Sequence, residues 1–190
     1  MSTRKEATHE RIVEAASRAI RREGYDGTSV ADVMREAGLT HGGFYAHFES
    51  RDAMLAEAAD RAGADTVATL AGIAAAAAPG QALDALVHAY LSEEHVERVE
   101  TGCPVAALGS ETSRRSPQVR HAATRRVREL IDLVARQSPD RDGRGAHERA
   151  LSTVATMVGA LLLARAVDDP RLSEAVRAAA LEHLSSAPSA

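Results

Sequence analysis

Thr40, His41, Tyr45, His47 and Arg51 stand within twelve positions of one another in LTHGGFYAHFESRDAML, residues 39–55. Hydroxyl, imidazole, phenol and guanidinium groups all donate hydrogen bonds, and a phosphate oxygen accepts from each of them. The same stretch holds three of the chain's five aromatic residues and two adjacent glycines. Gly42 and Gly43 each cost about 1 kcal/mol relative to alanine inside a helix. Two readings account for that cost: a backbone that must approach an outside surface closely, such as a groove floor or phosphate strand, or a loosely formed helix start. Phe44 and Phe48, four apart, share one helical face and are expected in the core, which leaves Tyr45 as the polar-tipped aromatic pointing elsewhere.

The other candidates for chemistry are fewer. Cys103 lies in Gly-Cys-Pro, where the proline suits a first helical turn; a thiol at a helix N-terminus is favoured as thiolate. The competing reading is an inert, buried small hydrophobe. A single cysteine excludes a disulfide framework within the chain and every multi-cysteine zinc motif. His88 and His95 are two helical turns apart, about 10 Å, too far for one ion, so no metal and no cofactor is expected. No G-x-S-x-G elbow, Walker A loop, HExxH or Rossmann fingerprint occurs, and no enzyme activity is expected.

The elements that must position these residues read as helices. Ile12, Val13, Ala16, Ala19 and Ile20 repeat at helical spacing over residues 5–23, with Gly24 as the stop. Thr28 or Ser29, with Asp32 following, caps a second helix that Gly38 closes. Thr40 caps a third short helix over HGGFYAHF, and Ser50 a longer one running from Arg51 into the alanines at 74–78, before Pro79-Gly80. Two short helices joined by a tight glycine turn outline a helix-turn-helix. Further helices carry Leu83, Leu86, Val87, Tyr90 and Leu91; follow Gly-Cys-Pro; begin at Ser116-Pro117; span about 146–167; and begin near Pro170. SPDRDGRG, residues 138–145, reads as a loop. The helix over 146–167 is apolar on most faces of its second half. Either it is an internal core helix or another helix covers it.

The composition agrees: 190 residues, 45% hydrophobic and only 3% aromatic, are enough for a sizeable all-α core. The net charge of −4 does not announce nucleic acid, for residues 1–51 carry 8 Lys+Arg against 8 Asp+Glu and the remainder 15 against 19. DNA binding must therefore rest on where a few groups sit. The N-terminus lacks an apolar signal region and the apolar run 154–167 is shorter than a membrane span, so a cytoplasmic protein with no membrane partner is expected.

TSVADVMREAGLTHGGFYAHFESRDAML, with Tyr45-Ala46-His47-Phe48 closing the recognition helix, resembles the DNA-binding region of the tetracycline-repressor (TetR-like) family, over about residues 5–60. The later helices fit that family's effector-binding part. The resemblance implies an all-α, Ω-shaped homodimer, with a helix-turn-helix DNA-binding domain over 1–50 and a ligand-binding and dimerisation domain over 51–190. It implies phosphate contacts by Thr28, Thr40, Tyr45, His47 and Arg51, and base edges nearest His41, Gly42 and Gly43. Arg4 and Lys5, the latter the only lysine, add contacts from an N-terminal arm. The last two helices would join their copies through Leu151, Ala155, Val158, Gly159, Leu162, Leu172, Val176 and Ala179, presenting two recognition helices ~34–36 Å apart or a multiple to a near-palindromic operator.

Apolar periodicity and the resemblance together nominate Val67, Leu70, Leu86, Tyr90, Cys103, Leu108 and Leu130 for an effector pocket. TGCPVAALGSE also resembles a branch of the family in which some members sense electrophiles or oxidants through that cysteine. A lysine partner used in that branch has no counterpart here. The expected function is a repressor, released from double-stranded DNA by a small apolar or electrophilic effector. The alternative is a small-molecule carrier or thiol-based sensor without sequence-specific DNA binding.

Overall fold

The structure, a computed structural model, describes residues 4–138 and 145–185. Nine α-helices occur among them and no strand: α1 (Arg4–Gly27), α2 (Val30–Glu36), α3 (Arg51–Ala76), α4 (Ala82–Tyr90), α5 (Glu93–Glu97), α6 (Pro104–Thr112), α7 (Pro117–Gln137), α8 (Ala146–Ala166) and α9 (Pro170–Ser185). Two 3₁₀ segments, His41–Ala46 and Val99–Thr101, complete the order. The loop expected over 138–145 lies largely outside the described residues.

The chain forms two compact units, Met1–Asp65 with Val99–Arg126, and Thr66–Arg98 with Val127–Ala190. The first has a core of Ile12, Ala16, Ile20, Tyr25, Met34, Phe44, Phe48 and Leu55, to which Leu108 of α6 and Val119 of α7 also belong. All five apolar positions read from the helical period of α1 are buried. Gly24 does not end α1 but breaks it: at φ 76° and ψ 170° it leaves the helical region, which a glycine tolerates without steric cost, and one more turn follows.

Arg21 was not singled out by sequence, yet only 4% of it is exposed. Its Nε donates to Ser17 O (3.0 Å), and its Nη1 to Gly102 O (3.2 Å). Burial pulls its pKa below the ordinary guanidinium value, opposed by Asp65, Cys103 and Glu100.

In the second unit α8 packs along α9. Arg165 of α8 donates to the His95 and Val96 carbonyls, and Arg177 of α9 donates to Leu91 O (3.1 Å). Helix α5 escaped the sequence reading because EEHVE is short and polar; its one signal is Ser92, whose hydroxyl accepts from the His95 N–H. Taken as a whole rather than as the run 154–167, α8 is long and apolar enough to cross a membrane by length and composition. It also leaves leucines exposed within its own unit: Leu151, Leu162 and Leu163, beside Leu172 of α9.

Candidate nucleic-acid interface

Helix α2 starts at Ser29, whose hydroxyl accepts from the Asp32 N–H (3.1 Å) and donates to Asp32 Oδ2 (2.5 Å). It ends in a Schellman turn: Gly38, at φ 69°, donates its N–H to Arg35 O (2.9 Å), and Leu39 to Met34 O (2.8 Å). The chain then enters the segment expected to be a short α-helix, which is a 3₁₀ helix instead. Thr40 has the extended backbone of an N-cap but makes no side-chain cap bond. With two glycines in its first turn and a missing cap, six residues take the tighter winding used in short pieces.

That segment buries one face and offers the other. Phe44 and Phe48 are buried with rings stacked 5.5 Å apart, and Tyr45 meets Phe44 edge-on at 5.2 Å while remaining 74% exposed. Thr40, His41, Gly42 and Ala46 are also exposed. Neither glycine is required by the fold. A Cβ on Gly42 would meet nothing within 4 Å, and one on Gly43 only Met34 Cε at 3.6 Å, an ordinary contact. Neither has positive φ. Gly42→Ala is therefore expected to leave stability unchanged or raise it by up to about 1 kcal/mol, while weakening DNA binding. Paired melting and DNA titrations check this, and undiminished DNA binding would remove the case for a close backbone approach.

His47 is half-buried at the end of the segment, and its Nδ1 is buried without a hydrogen-bond partner. Burial, then the neighbouring His9 and Lys5, pushes its pKa below the ordinary histidine value. A neutral ring with its proton on Nε2 can still donate to a phosphate. His9, absent from the sequence-derived set, stacks on Phe48 at 4.6 Å and shares a 2.6 Å hydrogen bond with Glu57 Oε2 of α3. No spacing rule could reveal a pair 48 residues apart.

Four expected contact residues are placed differently. Thr28 is buried, its hydroxyl donating to Gly24 O (2.8 Å), because the break at Gly24 frees that carbonyl; it has no proton left for a phosphate. The Nε and Nη2 of Arg51 donate to the carbonyls of Tyr25 and Thr28, tying the start of α3 to the turn before α2. Arg4 and Lys5 are exposed but belong to the first turn of α1, where Thr8 Oγ1 donates to Arg4 O, and so do not form an extended arm.

The expected pocket residues fall in both units. Cys103 and Leu108 belong to the first unit, and Leu108 fills its core. Val67, Leu70, Leu86, Tyr90 and Leu130 belong to the second, all buried except the half-buried Val67. Cys103 takes the N-cap position of α6, is 1% exposed and forms no disulfide. A cleft of about 690 Å³ opens in the first unit between α1, α3 and α7, over Val13, Ala56, Ala64 and Ala122; none of the expected pocket residues lines it.

A capped helix, a glycine turn and a second short helical segment with an exposed tyrosine and unencumbered glycines, held on one core, make a helix-turn-helix module. Comparison with known proteins agrees. Residues 12–58 match the family described as bacterial regulatory proteins, tetR family, and residues 79–182 match the transcriptional regulator LmrA/YxaF-like C-terminal domain. The chain is 34% identical over 169 residues to an HTH-type transcriptional regulator of Mycobacterium tuberculosis (strain ATCC 25618 / H37Rv), covering 82% of this chain and 83% of that one. Similar folds include Escherichia coli NemR in its reduced form (TM-score 0.78, 20% identity, 97% of this chain and 100% of that one). A TetR-family regulator from Agrobacterium tumefaciens is likewise similar (TM-score 0.77, 22% identity, 94% and 98%). The chain belongs to the tetR family of bacterial regulatory proteins; it is a DNA-binding transcriptional regulator, not an enzyme.

Proposed function

We propose that the protein is a cytoplasmic repressor that binds a near-palindromic operator as a homodimer and leaves it when a small apolar effector is bound. The observation that carries this reading is the 3₁₀ segment His41–Ala46, which exposes Tyr45 beside two glycines the fold itself does not require. Tyr45, Thr40 and His47 donate to phosphates, Arg4 and Lys5 supply the charge, and His41 with Gly42 and Gly43 meets the base edges. The division into a DNA-binding part over 1–50 and a ligand-binding and dimerisation part over 51–190 belongs to the same proposal. The exposed leucines of α8 and α9 support dimerisation through that pair. The carrier or sensor reading without DNA binding is not favoured by the family.

The burial of Cys103 favours a reversible pocket ligand over direct attack of a reagent on the thiol, which needs access as well as thiolate character. The test is fluorescence anisotropy on the duplex upstream of the protein's own gene and on random duplex, over a salt series, before and after treatment with a thiol alkylator. With Arg4 and Lys5 of both subunits each neutralising one phosphate, log K falls against log[salt] with a slope of about −4. Alkylation of the folded protein is expected to be slow and to leave binding intact. Rapid alkylation with loss of binding, absent in Cys103→Ala, would instead make the cysteine the trigger. Salt-independent association would sink the DNA interface proposed here.

A further inference from the structure

We propose that Glu111, on α6, is a positioning residue for DNA binding: it holds the turn between α1 and α2 and so sets the direction in which the helix-turn-helix leaves α1. The inference rests on the DNA interface above but assigns a residue far from it in sequence. At Gly24 the backbone leaves the helical region, and the Tyr25 N–H donates to Glu111 Oε2 at 2.9 Å. The fit is close: a Cβ on Gly24 would lie 2.6 Å from Glu111 Oε1 and 3.0 Å from Oε2. The φ of 76° favours glycine there, and a side chain would in addition push the Glu111 carboxylate out of its place.

The neighbouring residues converge on the same three positions. Tyr25 is buried. Arg115 donates from both Nη atoms to Asp26, 2.6 Å each, and its guanidinium lies 5.7 Å from the Tyr25 ring centre. Arg51 of α3 also donates to the Tyr25 and Thr28 carbonyls. The segment that aims α2 is therefore held by side chains of both α3 and α6. The other end of α6 is tied to α1 as well, through Arg21 to Gly102 O and Arg22 to Glu100 (3.1 Å). Nine residues of helix, about 13 Å, thus link the Cys103 end with the turn. A displacement of α6 has to be delivered at Gly24–Asp26, and α2 begins four residues beyond.

The experiment uses the full chain with Glu111→Ala and Glu111→Gln, reading anisotropy on the upstream duplex and amide hydrogen exchange at Tyr25. Loss of a hydrogen bond to a charged acceptor is expected to weaken DNA binding about tenfold to a hundredfold in Glu111→Ala. The salt slope should stay unchanged, because no phosphate contact is removed. Glu111→Gln keeps an acceptor oxygen and is expected to remain within about threefold of wild type. Tyr25 exchange should accelerate in the alanine variant and not in the glutamine one, which separates positioning from a general loss of folded protein.

Equal weakening in both variants, or wild-type affinity in Glu111→Ala despite accelerated Tyr25 exchange, would overturn the assignment. If the wild type binds no duplex at any salt, the fault lies with the DNA interface. The exchange measurement still decides on the clamp, since unchanged Tyr25 protection in Glu111→Ala would refute it.

Discussion

Arginine at both Leu151 and Leu162 is expected to convert the protein from dimer to monomer and abolish operator binding. These leucines are 42% and 39% exposed within their own unit, where α8 and α9 pack together. With Ala155, Val158 and Gly159 they form a stripe at helical spacing, continued by Leu172, Val176 and Ala179 on α9. Each leucine covered by a partner contributes about 1.5–3 kcal/mol, and the symmetry of a dimer doubles every loss. Arginine adds an unpaired charge to a surface that must become dry. Because the side chains are exposed before assembly, the helical content of the monomer should survive. Sedimentation velocity with circular dichroism is the check, and a variant that stays dimeric would move the interface elsewhere.

Phe44→Ala is expected to lower the stability of the DNA-binding unit by about 3–5 kcal/mol. The ring is 1% exposed, stacked on Phe48 and edge-on to Tyr45, in the cluster that also holds Met34 and Leu55. Its removal leaves a cavity where the 3₁₀ segment docks, and a segment of six residues has little hydrogen bonding of its own to keep its shape. Against a total of about 5–15 kcal/mol for a domain, the loss is a large fraction. Urea unfolding of the alanine variant, beside Tyr45→Ala as a control, distinguishes core from surface. Tyr45→Ala should change stability by less than about 0.5 kcal/mol while weakening DNA binding. A loss below about 1 kcal/mol for Phe44→Ala would mean that the ring is not what seats the segment.

Local features were readable because their causes are local. The apolar period of α1, the Ser29 cap, the glycine turn at Gly38, the Pro117 start and the pairing of Phe44 with Phe48 each depend on residues within about one turn of helix. Tyr45 could be told from its aromatic neighbours by face alone. The winding of the recognition segment could not: Phe48 lies beyond the 3₁₀ piece, and its N–H bonds Phe44 O (3.1 Å) in a single i→i−4 turn, so a spacing of four between the phenylalanines does not report how the residues before it wind.

What the sequence by itself determined is the kind of object this is: an all-α chain whose first sixty residues form a helix-turn-helix with an exposed tyrosine, and whose later helices carry an apolar surplus. Only the tertiary structure decided what individual polar side chains do. Thr28 and Arg51 look like phosphate donors in a string of letters, yet both turn to carbonyls around Gly24 and Tyr25. Arg21 is buried on Ser17 and Gly102, and Glu111 reaches an amide 86 positions away. A hydrogen-bond donor is spent on whichever acceptor the fold brings within about 3 Å, and helical periodicity says which way a residue faces but not what another part of the chain has placed there.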